Sequence, residues 1–392
     1  MRIVLTGGGT GGHVMPLEPI VESLRIEFLK VRDSLPGRLD PAELKITFMG
    51  VVDPETREFF DRFDIAATHI PSGKIRRYAS ALTIPDLFFH LPVGIVKALI
   101  HVWRVMPDVV ISKGGYGSIP IVLASIFYRI PILLHESDTI PGSGNALLMR
   151  FAAAVTVGFS QTTQYAPKWK YKMFVTGTPV RSDLRRINPA QAKQTLGFPP
   201  QEPLLLVMGG SQGAQQINEH LLKILPKLIV DMAILHITGT KHHQSVSTVA
   251  SELIAHSPRK EMYKAVPYMA DNMVYGLAAA DGIVSRAGAG SLAEIAALRK
   301  PTLLVPLDSA ANDHQRRNAQ AFEAAGAALV LDPSNLGENI FLQNIERLMR
   351  DAESRTQLEK NIVALDHPDA ARDIASLSLK IAQGFAPQRK KS

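Results

Sequence analysis

Short apolar runs of about five residues recur along the chain, each followed by small and polar residues and then by a stretch whose apolar positions return every three or four residues. The runs at 2–6, 45–49, 108–112, 131–134, 154–157 and 173–176 read as strands, and 14–29, 54–63, 93–105, 117–127 and 143–151 as helices. Beyond position 203 the alternation resumes, with strands at 204–208, 233–238, 264–266, 282–285, 302–305 and 328–331. Helical stretches near 339–350, 353–362 and 369–383 close the chain. Strands that alternate with helices predict an α/β fold with parallel sheets covered on both faces. At 392 residues the chain exceeds the roughly 250–300 at which a single core stops growing, so two domains are expected. Gly177-Thr178-Pro179 and then Pro189, Pro199, Pro200 and Pro203 break the pattern, which sets the boundary between 180 and 202.

In each half an apolar strand runs into a glycine-rich turn. Ile3-Val4-Leu5-Thr6 leads into Gly7-Gly8-Gly9-Thr10-Gly11-Gly12-His13, and Leu204-Leu205-Leu206-Val207-Met208 into Gly209-Gly210-Ser211-Gln212-Gly213-Ala214. Such a turn lets backbone approach a ligand and aims free N–H groups, with the positive end of a helix dipole, at an anion. Two of them predict two nucleotide-binding-like halves facing a shared cleft. Gly7, Gly9 and Gly12 also fit a dinucleotide fingerprint with Asp53 as its ribose acid. Asp53 lies about 40 residues past the last glycine, however, where that fingerprint expects about 20.

A third turn, Ser285-Arg286-Ala287-Gly288-Ala289-Gly290-Ser291-Leu292-Ala293-Glu294, also follows a strand. Its small residues admit a diphosphate, and Glu294 offers an acceptor to a ribose diol. The competing reading is a capping box, because Ser291 and Glu294 have the Ser-x-x-Glu spacing. Asn312-Asp313-His314-Gln315 opens a further helix at the same sheet end. In the first half, Lys113-Gly114-Gly115-Tyr116 and His135-Glu136-Ser137-Asp138 each follow an apolar run and project polar groups at the sheet mouth. His13, Glu136 and Asp138 are therefore candidates for a general base. No Asp-x-Asp or His-rich cluster is present, so neither a metal nor a cofactor is expected.

The net charge of +7 implies anionic partners, and the absence of RNA-binding or zinc-finger signatures argues against nucleic acid. Zero cysteines fits a reducing compartment. The first strand starts at residue 2 or 3 with no basic leader and apolar stretch before it, so no signal peptide and a cytoplasmic location are expected. Between Leu82 and Val105 apolar residues crowd together, interrupted by Asp86, His90, Pro92, Lys97, His101 and Arg104. The interruptions disfavour a spanning helix. A core helix and a helix resting on an anionic bilayer both fit.

Taken in order, these motifs resemble the MurG family of peptidoglycan glycosyltransferases. The likeness rests on Gly8-Gly9-Thr10-Gly11-Gly12-His13, Gly114-Gly115-Tyr116, His135-Glu136 and Gly177-Thr178-Pro179-Val180-Arg181, then on Gly209-Gly210-Ser211-Gln212-Gly213-Ala214, Arg286-Ala287-Gly288 with Glu294, and His314-Gln315 with Asn318-Ala319. The resemblance implies a GT-B fold of two Rossmann-like domains. Residues 1–181, rejoined by the final helix at about 369–392, would form the acceptor and membrane domain, and residues 182–368 the UDP-sugar domain. It also implies inverting, metal-independent transfer from UDP-N-acetylglucosamine to lipid I, giving lipid II, at the cytoplasmic face of the plasma membrane. Other cell-wall synthesis proteins are possible partners.

By the same resemblance, backbone near Met269 or Ala270 reads uracil, Glu294 the ribose, and Ser211, Ala289, Gly290 and Ser291 the diphosphate. Gln315 contacts sugar hydroxyls, Arg181 reaches the donor, and Thr10, Gly11 and Gly12 border the phosphates. His13 is the first choice of base, and Tyr116, Asp138 and His314 join the substrate-binding set. The chain departs from the family in two places. His135-Glu136-Ser137-Asp138 stands where His-Glu-Gln-Asn is common, and a carboxylate does not donate as the Asn does. One extra residue also falls between Met269 and Asn272. A UDP-N-acetylglucosamine 2-epimerase of the same fold, or a UDP-sugar-binding assembly factor without turnover, are the alternatives.

Overall fold

A computed structural model describes residues 1–8, 14, 16–32, 43–73, 89–209, 214–269, 272–307 and 313–387. The chain forms two compact units, Met1–Arg181 with Pro368–Ser392, and Ser182–His367.

The first unit is built on seven parallel strands: β1 (Arg2–Thr6), β2 (Lys45–Gly50), β3 (Ala66–His69), β4 (Val109–Ser112), β5 (Ile132–Glu136), β6 (Ala154–Val157) and β7 (Met173–Val175), in spatial order 3-2-1-4-5-6-7. Both faces are buried, so alternate residues of one strand enter different cores. Ile3 and Leu5 join Leu17, Ile20 and Leu24 of helix Leu17–Val31, the stacked pair Phe48 and Phe60, and Ile374, Leu377 and Leu379 of helix Ala370–Ala382. Val4 and Val110 face the other way, onto Ala98 and Val102 of helix Leu91–Val105 and Ile121 and Val122 of helix Ile119–Phe127.

The second unit has six parallel strands: β8 (Leu204–Met208), β9 (Ala233–Ile237), β10 (Tyr263–Val266), β11 (Gly282–Ser285), β12 (Thr302–Leu304) and β13 (Leu329–Val330), in spatial order 10-9-8-11-12-13. Leu205 and Val207 pack with Ile217, Leu221 and Ile224 of helix Gln215–Leu228 and with Phe341, Ile345 and Leu348 of helix Glu338–Arg350. At the N-terminal end of β8 a buried lysine pairs with a half-buried aspartate. Lys193 Nζ lies 2.7 Å from Asp281 Oδ2, which also accepts from the Leu204 N–H.

The strands expected from sequence are present within a residue or two at most ends. β3 is the exception: Ala66-Ala67-Thr68-His69 is a half-exposed edge strand with no apolar run to announce it. Of the apolar stretch 82–105, residues 82–88 lie outside the described residues. The remainder divides its apolar residues between inside and outside. Gly94, Ala98 and Val102 form the buried stripe, while Phe89, Val93, Val96, Ile100 and Trp103 are exposed. Gly94 is required by close packing, since a Cβ there would run into the Pro71 carbonyl. No helix among the described residues is long and apolar enough to cross a membrane.

Candidate functional site

In each sheet the strand order reverses beside the strand that carries a glycine turn: between β1 and β4 in the first, between β8 and β11 in the second. In open parallel sheets the crevice beyond the C-terminal strand ends at this reversal is where ligands bind. Chain topology thus brings Gly7 and Gly8, and in the second sheet Gly209, to the binding position of each sheet.

At the first mouth, Gly7 and Gly8 end β1, and Gly50 and Gly117 are glycines because a Cβ on either would crowd the Gly7 carbonyl. Glu136 ends β5 with only 4% of its surface exposed. One carboxylate oxygen accepts from the Asp138 N–H at 2.9 Å, the other from the Gly142 N–H at 3.0 Å and Asn145 Nδ2 at 2.9 Å. These bonds fold residues 137–142 back over the strand end. Burial, and after it the Asp138 carboxylate, raise the Glu136 pKa, opposed by the three donors.

Lys113, at the end of β4, is buried and donates to Ser137 Oγ. Burial lowers its pKa to about 8, against the pull of Glu136 and Asp138. His135 Nδ1 lies 2.9 Å from Thr156 Oγ1, and burial and then the Lys113 ammonium hold the ring neutral. Its Nε2, together with Thr6 Oγ1 and Asn145 Oδ1, is buried without a partner among the described residues. Three unmet polar atoms, two on strands β1 and β5 and one on helix Ser143–Leu148, need an explanation, and a bound polar group would supply one.

The second mouth is organised differently. Helix Ala289–Leu298 starts after Gly288, which supplies no side-chain cap. Ala289, Gly290 and Ser291 form its first turn, and a Cβ added at Gly288 or Gly290 would meet nothing within 4 Å among the described residues. These glycines therefore leave space rather than relieve crowding. Because Gly288 is the capping position, Ser291 lies inside the helix and the capping-box reading of Ser291 and Glu294 is wrong. Glu294 sits in the second turn, half-buried.

Arg286, the basic residue of the third glycine turn, turns inward and is buried. It donates to the carbonyls of Val305 at 3.0 Å and Pro306 at 2.6 Å and reaches Gln216 Oε1 at 3.4 Å. Asn318 Nδ2 holds the Ala287 carbonyl at 3.0 Å, and Gln315 Oε1 accepts from the Leu307 N–H at 3.0 Å. These bonds tie Arg286 and Ala287 after β11 to the start of helix Gln215–Leu228, to residues 305–306 after β12 and to helix His314–Ala324, whose Gln315 also holds Leu307. His314 Nδ1 is buried without a partner among the described residues.

Of the residues singled out by sequence, Glu136 and Asp138 meet at the first mouth. Ala289, Gly290, Ser291, Glu294, His314 and Gln315 belong to the second. Tyr116 opens a short 3-10 turn after β4, its carbonyl accepting from Ser72 Oγ at 2.6 Å. Arg181 is half-buried at the end of the first unit. The Met269 side chain packs on Gly276, and its carbonyl accepts from the Asn272 N–H at 2.8 Å. Thr10, Gly11, Gly12, His13, Ser211 and Ala270 lie outside the described residues. Sequence reading gave no role to Lys113 or Asn145. A lysine directly after the Val109–Ser112 strand of a parallel sheet is the available signal for the first; nothing marks the second. No group of three or more metal-ligating side chains occurs among the described residues.

Comparison with known proteins fits this arrangement. The N-terminal domain model of glycosyltransferase family 28 matches residues 3–157 and the C-terminal domain model residues 204–374. A curated relative from Bacillus thuringiensis subsp. konkukian, named UDP-N-acetylglucosamine--N-acetylmuramyl-(pentapeptide) pyrophosphoryl-undecaprenol N-acetylglucosamine transferase 2, is 33% identical over 361 residues, 92% of this chain and 95% of its own. The crystal structure of Acinetobacter baumannii MurG is similar with a TM-score of 0.70 at 25% identity, covering 97% of this chain and 99% of that one. A Neisseria meningitidis UDP-GlcNAc 2-epimerase shares the fold alone, with a TM-score of 0.66 at 16% identity over 97% of this chain and 100% of that one. The architecture is that of a GT-B glycosyltransferase. More particularly, the chain belongs to the MurG family, the N-acetylglucosamine transferases of the name just given.

Proposed function

We propose that this chain transfers N-acetylglucosamine from UDP-N-acetylglucosamine to undecaprenyl-diphospho-N-acetylmuramoyl-pentapeptide, converting lipid I to lipid II in peptidoglycan synthesis. The observation that carries this reading is likeness over 92% of the chain to a transferase whose name states that reaction. In the step itself a sugar hydroxyl of the acceptor attacks the anomeric carbon and a new C–O bond forms. The bond from that carbon to the diphosphate oxygen breaks, its electron pair leaves with UDP, and the hydroxyl proton passes to a base. A single displacement of this kind inverts the anomeric centre.

UDP is assigned to the second mouth. The uncapped first turns of helices Gln215–Leu228 and Ala289–Leu298 offer backbone N–H groups to the diphosphate, as Gly288 and Gly290 leave room for it. Ser211, Ala289, Gly290 and Ser291 belong to that cradle, with Glu294 toward the ribose, Met269 or Ala270 toward uracil, and His314, Gln315 and Arg181 toward the donor sugar. The acceptor is assigned to the first mouth, bordered by Thr10, Gly11, Gly12, Tyr116 and Asp138. Both oxygens of Glu136 are engaged by the loop they hold, so we assign Glu136 to shaping that loop and His13 to the base.

The acceptor's lipid brings the protein to a membrane, and helix Leu91–Val105 supplies a matching surface. Its outward Val93, Val96, Ile100 and Trp103 stand beside exposed Lys97 and Arg104, and Phe127 is exposed on the helix packed against it. Apolar side chains enter the interface while lysine and arginine meet anionic headgroups. This surface would place the enzyme peripherally on the cytoplasmic face. The double variant K97E/R104E is expected to lose binding to anionic vesicles more than tenfold in a sedimentation assay, at about 1 kcal/mol per basic residue removed.

The deciding experiment measures UDP release from UDP-N-acetylglucosamine in EDTA, with and without a short-chain lipid I analogue. Release that requires the analogue and ignores EDTA supports metal-independent transfer. Release without the analogue points to the epimerase class, and UDP binding with no release in either case to a binding protein.

A further inference from the structure

Asparagine is a poor helix former, and one that is buried must have its amide satisfied. Asn218 is 3% exposed in the first turn of helix Gln215–Leu228, and a chain of hydrogen bonds runs from it across the sheet. The Thr238 carbonyl, at the end of β9, can only accept, so the Asn218 Nδ2 group 2.9 Å away must face it. Asn218 Oδ1 then points at His236 Nε2, also 2.9 Å away, and that nitrogen must carry the proton. His236 Nδ1 is left as an acceptor, and the Tyr263 hydroxyl, 2.9 Å distant, donates to it. One carbonyl thus fixes the amide orientation, the imidazole tautomer and the direction of the phenol proton in turn.

The ring sits fully buried on β9, beside Val207 of β8, and burial lowers its pKa to about 3, so it remains neutral. The helix it reaches has no side-chain cap. Ala214 occupies the capping position and offers the first turn no side-chain bond. The tether from β9 holds that turn to the sheet.

We propose that His236 is a positioning residue: through its Nε2–H and Asn218 it locks the first turn of helix Gln215–Leu228 to the end of β9, in the orientation that presents its N–H groups to the nucleotide diphosphate. The inference rests on the assignment of UDP to this mouth. The Tyr263 end of the chain stabilises the ring but does not transmit to the helix.

Two amide replacements separate these bonds. In His236→Gln the amide nitrogen falls at the Nε2 position and keeps the bond to Asn218. In His236→Asn the amide oxygen falls at the Nδ1 position, keeping the bond from Tyr263 and losing that to Asn218. UDP affinity by calorimetry is expected within about threefold of wild type for H236Q and at least tenfold weaker for H236N, with KM for the UDP-sugar following and kcat little changed. Equal affinities in the two variants overturn the proposal, whatever their thermal stabilities. Should H236N not fold, N218A and Y263F cut the same chain on either side of the ring, with the loss expected only in N218A; equal affinities there overturn it too. Wild-type protein with no UDP affinity overturns the assignment of the site, and this inference with it.

Discussion

The two sheet mouths occupy the same place in their respective units and solve the same problem with different materials. At the first, ionisable side chains are packed inward: Glu136 accepts three hydrogen bonds, Lys113 is buried beside it, and His135 is held neutral. At the second, the side chains that reach inward, Arg286 and Asn318, bind backbone carbonyls, and the surface left open is small residues and helix starts. Backbone donors suit a diphosphate that binds and departs in every cycle, because they bring no mobile charge of their own. Titratable side chains suit a site where a proton must move.

The sharpest test of this division is His13→Ala. Turnover is expected to fall by roughly 10²–10⁴-fold, as for loss of a general base, while UDP affinity by calorimetry stays near wild type. A parallel loss of affinity would erase the distinction between the mouths. Glu136→Ala should act on structure rather than on nucleotide. Removing the acceptor of three bonds and a charge beside Lys113 is expected to cost about 3 kcal/mol in urea denaturation, again with UDP binding spared.

Lys113 gives the comparison a pH signature. Its folded pKa of about 8 lies below the usual 10.5, so between those values the unfolded chain holds more protons than the folded one, and stability rises with pH. Below about pH 8 both states are charged and the full penalty of burial is present. The gain across the window is on the order of 3 kcal/mol, and Lys113→Met should abolish that slope in denaturation curves taken from pH 7.5 to 10.5. Gly290→Ala completes the set from the other mouth. The exposed helical position gains about 0.5 kcal/mol of stability from alanine, while the added methyl enters the space assigned to the diphosphate and weakens UDP binding about tenfold. Tighter binding in this variant would mean that the space serves something else.

The architecture was readable because strands buried on both faces leave continuous apolar runs, and because glycine turns punctuate them. β3 escaped notice since an edge strand of Ala-Ala-Thr-His carries neither signal. The sites were legible as positions more than as roles. Glu136 could be placed at a strand end, but its partners are the peptide N–H groups of Asp138 and Gly142, which no residue type announces. Arg286 stands within a ligand-like motif and spends its guanidinium on Val305 and Pro306 carbonyls. The spacing of Ser291 and Glu294 fits a cap, but the helix begins three residues earlier than that reading needs. His236, inside Ala-Ile-Leu-His-Ile, looks like one more core position until Asn218 and Tyr263 are brought to it across neighbouring elements.

Helix Ala370–Ala382 completes the core of the first unit, yet the ribosome makes it only after the whole second unit has been synthesised. At about 5–20 residues per second, the groove that receives Ile374, Leu377 and Leu379 stays open on the nascent chain for roughly ten seconds or more. During that interval Leu17, Ile20 and Leu24 are without their final cover, and the N-terminal unit is the last to mature although it is synthesised first. The growing chain thus carries a sticky half-finished domain that chaperones can hold, and a stop codon just before residue 370 would make that state permanent.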